Sequence, residues 1–231
     1  MSKPANPSRR RLMQAAGAGL AVAIPLRRVD AQPPGPQATQ DRYEFFSAAE
    51  AAFIEAAVAR LIPADELGPG AVEAGVPFFI DRQLAGAYGA GARLYRAGPW
   101  RQGTPSQGYQ LPHTPAELFR AAIRAIEERL KEKSGFRNLS PHDQDGFLDA
   151  LQNGKVDLGA AGTSEFFDVL LALTMEGYLS DPAYGGNRGM AAWRMIGFPG
   201  AYSNYYELVG RNAAFEAAPS SLAEGKHGHG R

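Results

Sequence analysis

The 231-residue chain has 24 basic and 24 acidic residues, 45% hydrophobic residues and no cysteine. Without a thiol the chain supplies no disulfide, iron–sulfur ligand, covalently held haem or thiolate zinc site of its own. Six of the 24 basic residues and one of the 24 acidic ones lie within positions 1–31, so residues 32–231 carry 18 against 23, a net charge of −5. They show no basic patch of the kind that tracks phosphates, and nucleic acid is not an expected partner.

The chain opens MSKPANPSRRRLMQAAGAGLAVAIPL. Lys3, Arg9, Arg10 and Arg11 stand in an acid-free start, and Leu12 to Leu26 is uncharged. That run is shorter than the roughly 20 residues that span a bilayer, which favours a signal segment over an anchor. Twin arginines before a short apolar run mark an export route that carries proteins already folded. Val29-Asp30-Ala31 offers compact residues before a cut, so cleavage is expected after Ala31, and residues 1–31 read as a twin-arginine signal peptide. An uncleaved anchor is the alternative. Residues 32–42 follow as a flexible linker, because three prolines and a glycine in QPPGPQATQ prevent regular structure.

From 43 to 216 the periodicity is helical. Ser47-Ala48-Ala49-Glu50 is a capping box, followed by Phe53, Ile54, Ala57, Val58, Leu61 and Ile62 on one face until Pro63. A second helix is expected from about Ala71 to Leu84, with Val72, Val76, Phe79, Ile80 and Leu84 inward. Pro77 inside it implies a kink or a later start. Thr114-Pro115-Ala116-Glu117 joins a cap, a proline and an acid at the third helical position, ahead of Leu118, Phe119, Ala122, Ile123, Ile126 and Leu130. Ser140-Pro141-His142-Asp143 opens a fourth helix that Asn153-Gly154 ends, with Phe147, Leu148 and Leu151 inward. Thr163 or Ser164 is expected to cap a fifth, carrying Phe166, Phe167, Leu170, Leu171 and Met175. Val156-Asp157-Leu158 is at most a stray strand. The fold class is mainly α: a compact domain of about five or more helices with long Gly/Pro/aromatic loops at 86–112 and 177–210. Residues 217–231 read as a mobile polar tail.

Motifs that carry chemistry are scarce. Gly68-Pro69-Gly70 and Gly89-Ala90-Gly91 lack the third glycine and the preceding strand of a dinucleotide site. No GxSxG elbow exists; Ser164 sits in Gly162-Thr163-Ser164-Glu165-Phe166. His142, Asp143 and Asp145 can in principle bind a metal or move protons, but acids in a first helical turn are ordinary capping chemistry. His113 has no neighbouring acid, Asp65-Glu66 looks like a solvated turn, and His227 and His229 lie on the glycine-rich tail. No catalytic, cofactor-binding or metal-binding residue is assigned to this chain.

GYLSDPAYGGNRGMAAWRMIGFPGAYSNYYE, by contrast, sets aromatics among glycines with few charges. Interfaces are enriched in tyrosine, tryptophan, arginine and methionine. Tyr178, Tyr184, Asn187, Arg188, Trp193, Arg194, Phe198, Tyr202 and Tyr205 are therefore the candidate partner contacts. The competing reading is that each aromatic fills the domain's own core.

GYLSDPAYGGNRGMAAWRMIGFPG resembles the signature of the gluconate 2-dehydrogenase subunit 3 family, and LIPADELGPGAVEAGVPFFIDRQLAGAYG resembles its other recognisable block. The order also agrees: leader, FFSAAEAAFIEAAVARLIP, second block, then the GGN stretch. The resemblance implies the small subunit of a membrane-associated flavin dehydrogenase for sugars, sugar acids or alcohols. Its partner would be a flavin-bearing catalytic subunit of the glucose–methanol–choline type, holding FAD, with a multihaem cytochrome c often taking the electrons onward through haem c. The small subunit's signal often carries the large one to the periplasm, where the complex associates with the inner membrane. Arg9 and Arg10 would then engage the twin-arginine translocase, with Leu12 in the usual hydrophobic place. Two other classes remain at this level: a solitary secreted binding or structural protein, and a stand-alone hydrolase.

Overall fold

The computed structural model describes residues 42–101, 103–104, 107, 112–202, 206, 209–210, 215 and 217–224. Arg9, Arg10, Leu12, Ala31, Tyr205, His227 and His229 lie outside the described residues, as does nearly all of the 32–42 linker.

Six α-helices lie among the described residues: α1 (Ala48–Leu61), α2 (Val76–Ala85), α3 (Pro115–Arg129), α4 (Pro141–Gln152), α5 (Thr163–Leu179) and α6 (Ala191–Ile196). The mainly helical class expected from periodicity is what the chain adopts. The local start signals work as chemistry dictates. Ser47 and Glu50 form a reciprocal capping box on α1, as do Thr114 and Glu117 on α3, satisfying amide donors that have no partner within the helix. Ser140 caps α4 by accepting from the Asp143 amide, and Asn153 with left-handed Gly154 ends it.

Helix α5 is the hub, packing against α1, α2, α3 and α4. Its central role follows from composition: apolar residues run round much of its circumference, with Phe166, Phe167, Leu170, Leu173 and Tyr178 buried. Rings link the layers. Phe53 of α1 lies 5.1 Å from Phe136 and 6.3 Å from Phe166, and Phe119 of α3 meets Phe166 at 5.2 Å. Phe136 belongs to a 3-10 turn at Phe136–Asn138 and is fully buried. Truncating any of these buried rings to alanine should cost about 3–5 kcal/mol.

Three local expectations are corrected. The second helix starts at Val76 rather than near Ala71, because Gly75 turns left-handed at φ 80° and Pro77 occupies the first turn, where a missing N–H costs nothing. Neither Thr163 nor Ser164 caps α5. Gly162 stands at that position, and the Thr163 hydroxyl instead donates to the Val156 carbonyl and accepts from the Leu158 amide. The 177–210 stretch is not one long loop, since α5 runs to Leu179 and short turns and α6 follow.

Both ends of the described chain are held by buried carboxylates. Asp81 of α2, 1% exposed, accepts from the amides of Glu44, Phe45 and Phe46 at 2.7, 3.0 and 2.8 Å. Asp181 accepts from the Ser221 hydroxyl at 2.7 Å and the Leu222 amide at 2.8 Å. Ser221 and Leu222, within the 217–231 segment, are thereby tied to the residue that follows Ser180 at the end of α5.

Candidate functional site

The residues after α5 fold as two 3-10 turns, Pro182–Tyr184 and Arg188–Met190, running into α6. Three polar side chains in this stretch, Asp181, Asn187 and Trp193, have local structural roles. Asp181 caps the first turn by accepting from the Ala183 amide at 2.8 Å. Asn187 is left-handed at φ 44°, a conformation that asparagine tolerates better than most residues. Fully buried, it donates to the Ser180 carbonyl at 3.0 Å and accepts from the Ala192 amide at 3.0 Å. One side chain thus joins the end of α5 to the first turn of α6. The Trp193 indole donates to the Leu179 carbonyl at 2.8 Å, satisfying one acceptor that the end of α5 leaves open.

Gly177 and Gly186 are packing residues. A Cβ on Gly186 would overlap the Gly177 carbonyl, and one on Gly177 would lie 2.7 Å from the Phe79 ring. Backbone meets backbone here, and any larger side chain would push α5 off the turn.

Arg188 carries the same assembly across to α2. Its amide donates to the Ala74 carbonyl at 3.0 Å and its guanidinium lies 4.6 Å from the Phe78 ring centroid. Phe78 also stacks on Tyr43 at 4.6 Å. From α5, the Tyr178 hydroxyl donates to the Pro69 carbonyl at 2.8 Å. Burial raises the Tyr178 pKa, and the charge of Asp65 adds to the rise. The two blocks that carry the family resemblance are therefore one packed unit: 68–79 lies against 177–188.

This placement sorts eight of the nine candidate contacts, Tyr205 lying outside the described residues. Tyr178, Asn187 and Trp193 are buried. Their polar atoms are committed to hydrogen bonds within the domain. Arg188 and Tyr202 are half-buried; Tyr202 meets the Phe215 ring edge-on at 4.9 Å. Tyr184, Arg194 and Phe198 face outward. Beside them stand exposed residues that aromatic content did not flag as contacts: Leu67, Met175, Leu179, Met195 and Ile196.

The weak chemical candidates resolve into structure. Asp143 accepts from the Ser140 hydroxyl at 2.7 Å, and Asp145 takes the Arg60 guanidinium in a two-pronged pair at 2.6 and 2.7 Å that ties α4 to α1. His142 is exposed in the first turn of the same helix. Asp65 accepts from the Leu67 and Gly68 amides, folding its own turn. His113 immediately precedes the Thr114 cap. The two GxG stretches are closed by neighbouring backbone: a Cβ on Gly70 would lie 2.6 Å from the Ala64 nitrogen, and one on Gly89 would overlap the Leu84 carbonyl. Neither presents the open amides that a pyrophosphate needs. Among the described residues no group of three or more His, Asp or Glu is placed to hold a metal ion.

Sequence reasoning passed over Asp81 and Asp181. The available signal was an acid in a buried register, Asp81 beside Ile80 and Asp181 after the last turn of α5. Its partners lie about 35 to 41 residues away and cannot be inferred locally.

Comparison with protein families matches residues 48–200 to gluconate 2-dehydrogenase subunit 3. The chain belongs to that family. The matched region runs from the first residue of α1 to Gly200, just beyond α6, and so contains both packed blocks. Comparison with curated proteins and with solved structures gave no match. As a subunit 3, the protein is by family one component of a multi-subunit dehydrogenase.

Proposed function

We propose that this subunit 3 is non-catalytic: it binds the flavin-bearing catalytic subunit of a periplasmic dehydrogenase, assists its folding and carries it through the twin-arginine route. FAD belongs to that partner, of the glucose–methanol–choline type, and a multihaem cytochrome c subunit is its natural electron acceptor. The assembled complex works at the periplasmic face of the inner membrane. One observation supports this reading above the rest. The polar side chains of the signature, Asp181, Asn187 and Trp193, spend their hydrogen bonds on the domain's own backbone, while Met195, Ile196 and Phe198 point outward. Such a stretch is built as a scaffold that presents apolar surface, and not as a constellation converging on a reacting atom.

The export role is tested by replacing Arg9 and Arg10 with lysines in a cell that expresses both subunits. Both proteins are expected to remain in the cytoplasm. Normal appearance of the flavin subunit in the periplasm would refute the carrier role.

A further inference from the structure

Six of the exposed apolar side chains are not scattered. Met175 and Leu179 stand one turn apart on α5, so they share a face. The Trp193 bond to the Leu179 carbonyl seats α6 against that end of α5, and Trp193 meets Phe198 edge-on at 5.1 Å. Met195 and Ile196 follow Trp193 in the same short helix, after Arg194. The Leu67–Gly68 turn closes the other side: a Cβ on Gly68 would lie 3.7 Å from the Met195 sulfur and 3.9 Å from the Tyr178 hydroxyl. Leu67, Met175, Leu179, Met195, Ile196 and Phe198 therefore gather at one end of the domain.

We propose that this face is the seat of the catalytic subunit, an inference that rests on the accessory-subunit reading above. Its extent argues for a protein occupant. The six residues are 40–77% exposed; at about 200 Å² for a fully exposed large side chain, they present roughly 600 Å². That is the upper end of what a monomer leaves open, and most of the roughly 800 Å² that each partner brings to a standard interface. Composition argues the same way, since two methionines give an adaptable surface that can repack against a partner. Charge argues against an anionic membrane: Asp65, Glu66 and Glu176 flank the face, and Arg194 is the cation beside it. The expected occupant is an apolar protein surface of similar area with basic groups at its rim.

The test co-expresses the full-length chain, affinity-tagged, with the flavin subunit of the same dehydrogenase and measures flavin retained per small subunit. Met195→Asp combined with Ile196→Asp should lower retention about tenfold or more, because a carboxylate would be buried in the contact. Tyr95→Asp, at a still more exposed apolar residue in the loop before α3, should leave retention unchanged. Circular dichroism confirms that the variants fold, and Leu67→Asp offers an independent second site. Wild-type retention by the 195/196 and Leu67 variants would overturn the face while leaving the accessory-subunit reading intact. Failure of the wild-type chain to retain the flavin subunit would overturn both. The face would be reassigned if these variants abolished self-association, or binding to phosphatidylglycerol vesicles, yet still held the flavin subunit.

Discussion

The Ser221 hydroxyl donates to the Asp181 carboxylate at 2.7 Å across forty residues of chain, and the Leu222 amide reaches the other oxygen of the same group at 2.8 Å. This carboxylate holds the C-terminal segment against the start of the family signature. Asp181→Ala would leave a buried hydroxyl and an amide without an acceptor, at a cost of about 2–4 kcal/mol. Hydrogen exchange should then accelerate at Leu222 and Ala223 before it does so in α5. Unchanged protection there would show that the segment is held by other contacts.

Two glycines, one in the signature and one in α4, give predictions of opposite sign. Gly186→Ala places a methyl on the Gly177 carbonyl and should destabilise the domain by about 1–3 kcal/mol, with loss of partner binding following from displacement of α6. Gly146, within α4, has nothing within 4 Å of an added Cβ. Gly146→Ala should stabilise by about 0.5–1 kcal/mol, since alanine loses less entropy in a helix. Thermal melts of both variants decide the matter.

Asn187 combines a left-handed backbone with two buried hydrogen bonds. Asn187→Ala loses both bonds and strands the Ala192 amide and the Ser180 carbonyl, so about 2–3 kcal/mol of stability should disappear. Asn187→Gly keeps the backbone comfortable but loses the same bonds, and should recover only a part of that. Equal stability of the glycine variant and wild type would mean that only conformation matters at this position.

Stability should fall at both ends of the pH scale through identifiable groups. Hydrogen bonding from Arg60 holds the Asp145 carboxyl below its ordinary value of 3.8, and the Thr114 amide, then its hydroxyl, hold Glu117 below 4.5. Depressed carboxyls contribute fully above those ordinary values and lose their contribution as pH falls through the lower folded ones. Asp145→Asn should therefore flatten the acid limb of a stability profile below about pH 3.8. In the alkaline direction, burial and the hydrogen bond to Glu55 raise the Tyr43 phenol well above its ordinary 10.0. Its contribution is complete below 10 and is lost as pH climbs towards the folded value. Tyr43→Phe, which keeps the stack on Phe78, should make stability fall less steeply above pH 10.

What the sequence disclosed, and what it withheld, divides by range. The capping boxes at Ser47 and Thr114 were legible because both halves lie within four residues. The stripes of α1 and α3 were legible because burial repeats with the helical turn. Thr163 misled because a threonine before an apolar run resembles a cap, whereas its hydroxyl is taken by Val156. The clamps at Asp81 and Asp181, and the contact of Gly186 with Gly177, depend on tertiary proximity that no local pattern encodes. In the 177–200 stretch, aromatic content did not tell which side chains face outward. Tyr178 and Trp193 carry polar handles that find backbone carbonyls inside, and the side chains left exposed beside Phe198 are aliphatic or sulfur-bearing.

The central claim is a division of labour in which this subunit binds and delivers, and a companion holds the redox group. It is tested most directly by the visible spectrum and sugar-oxidising activity of the purified mature chain, alone and then with the flavin subunit. The account predicts a colourless, inactive chain alone and a flavin-coloured, active assembly in which the flavin follows the large subunit on separation. Stoichiometric flavin and sugar oxidation by the small subunit alone would contradict it.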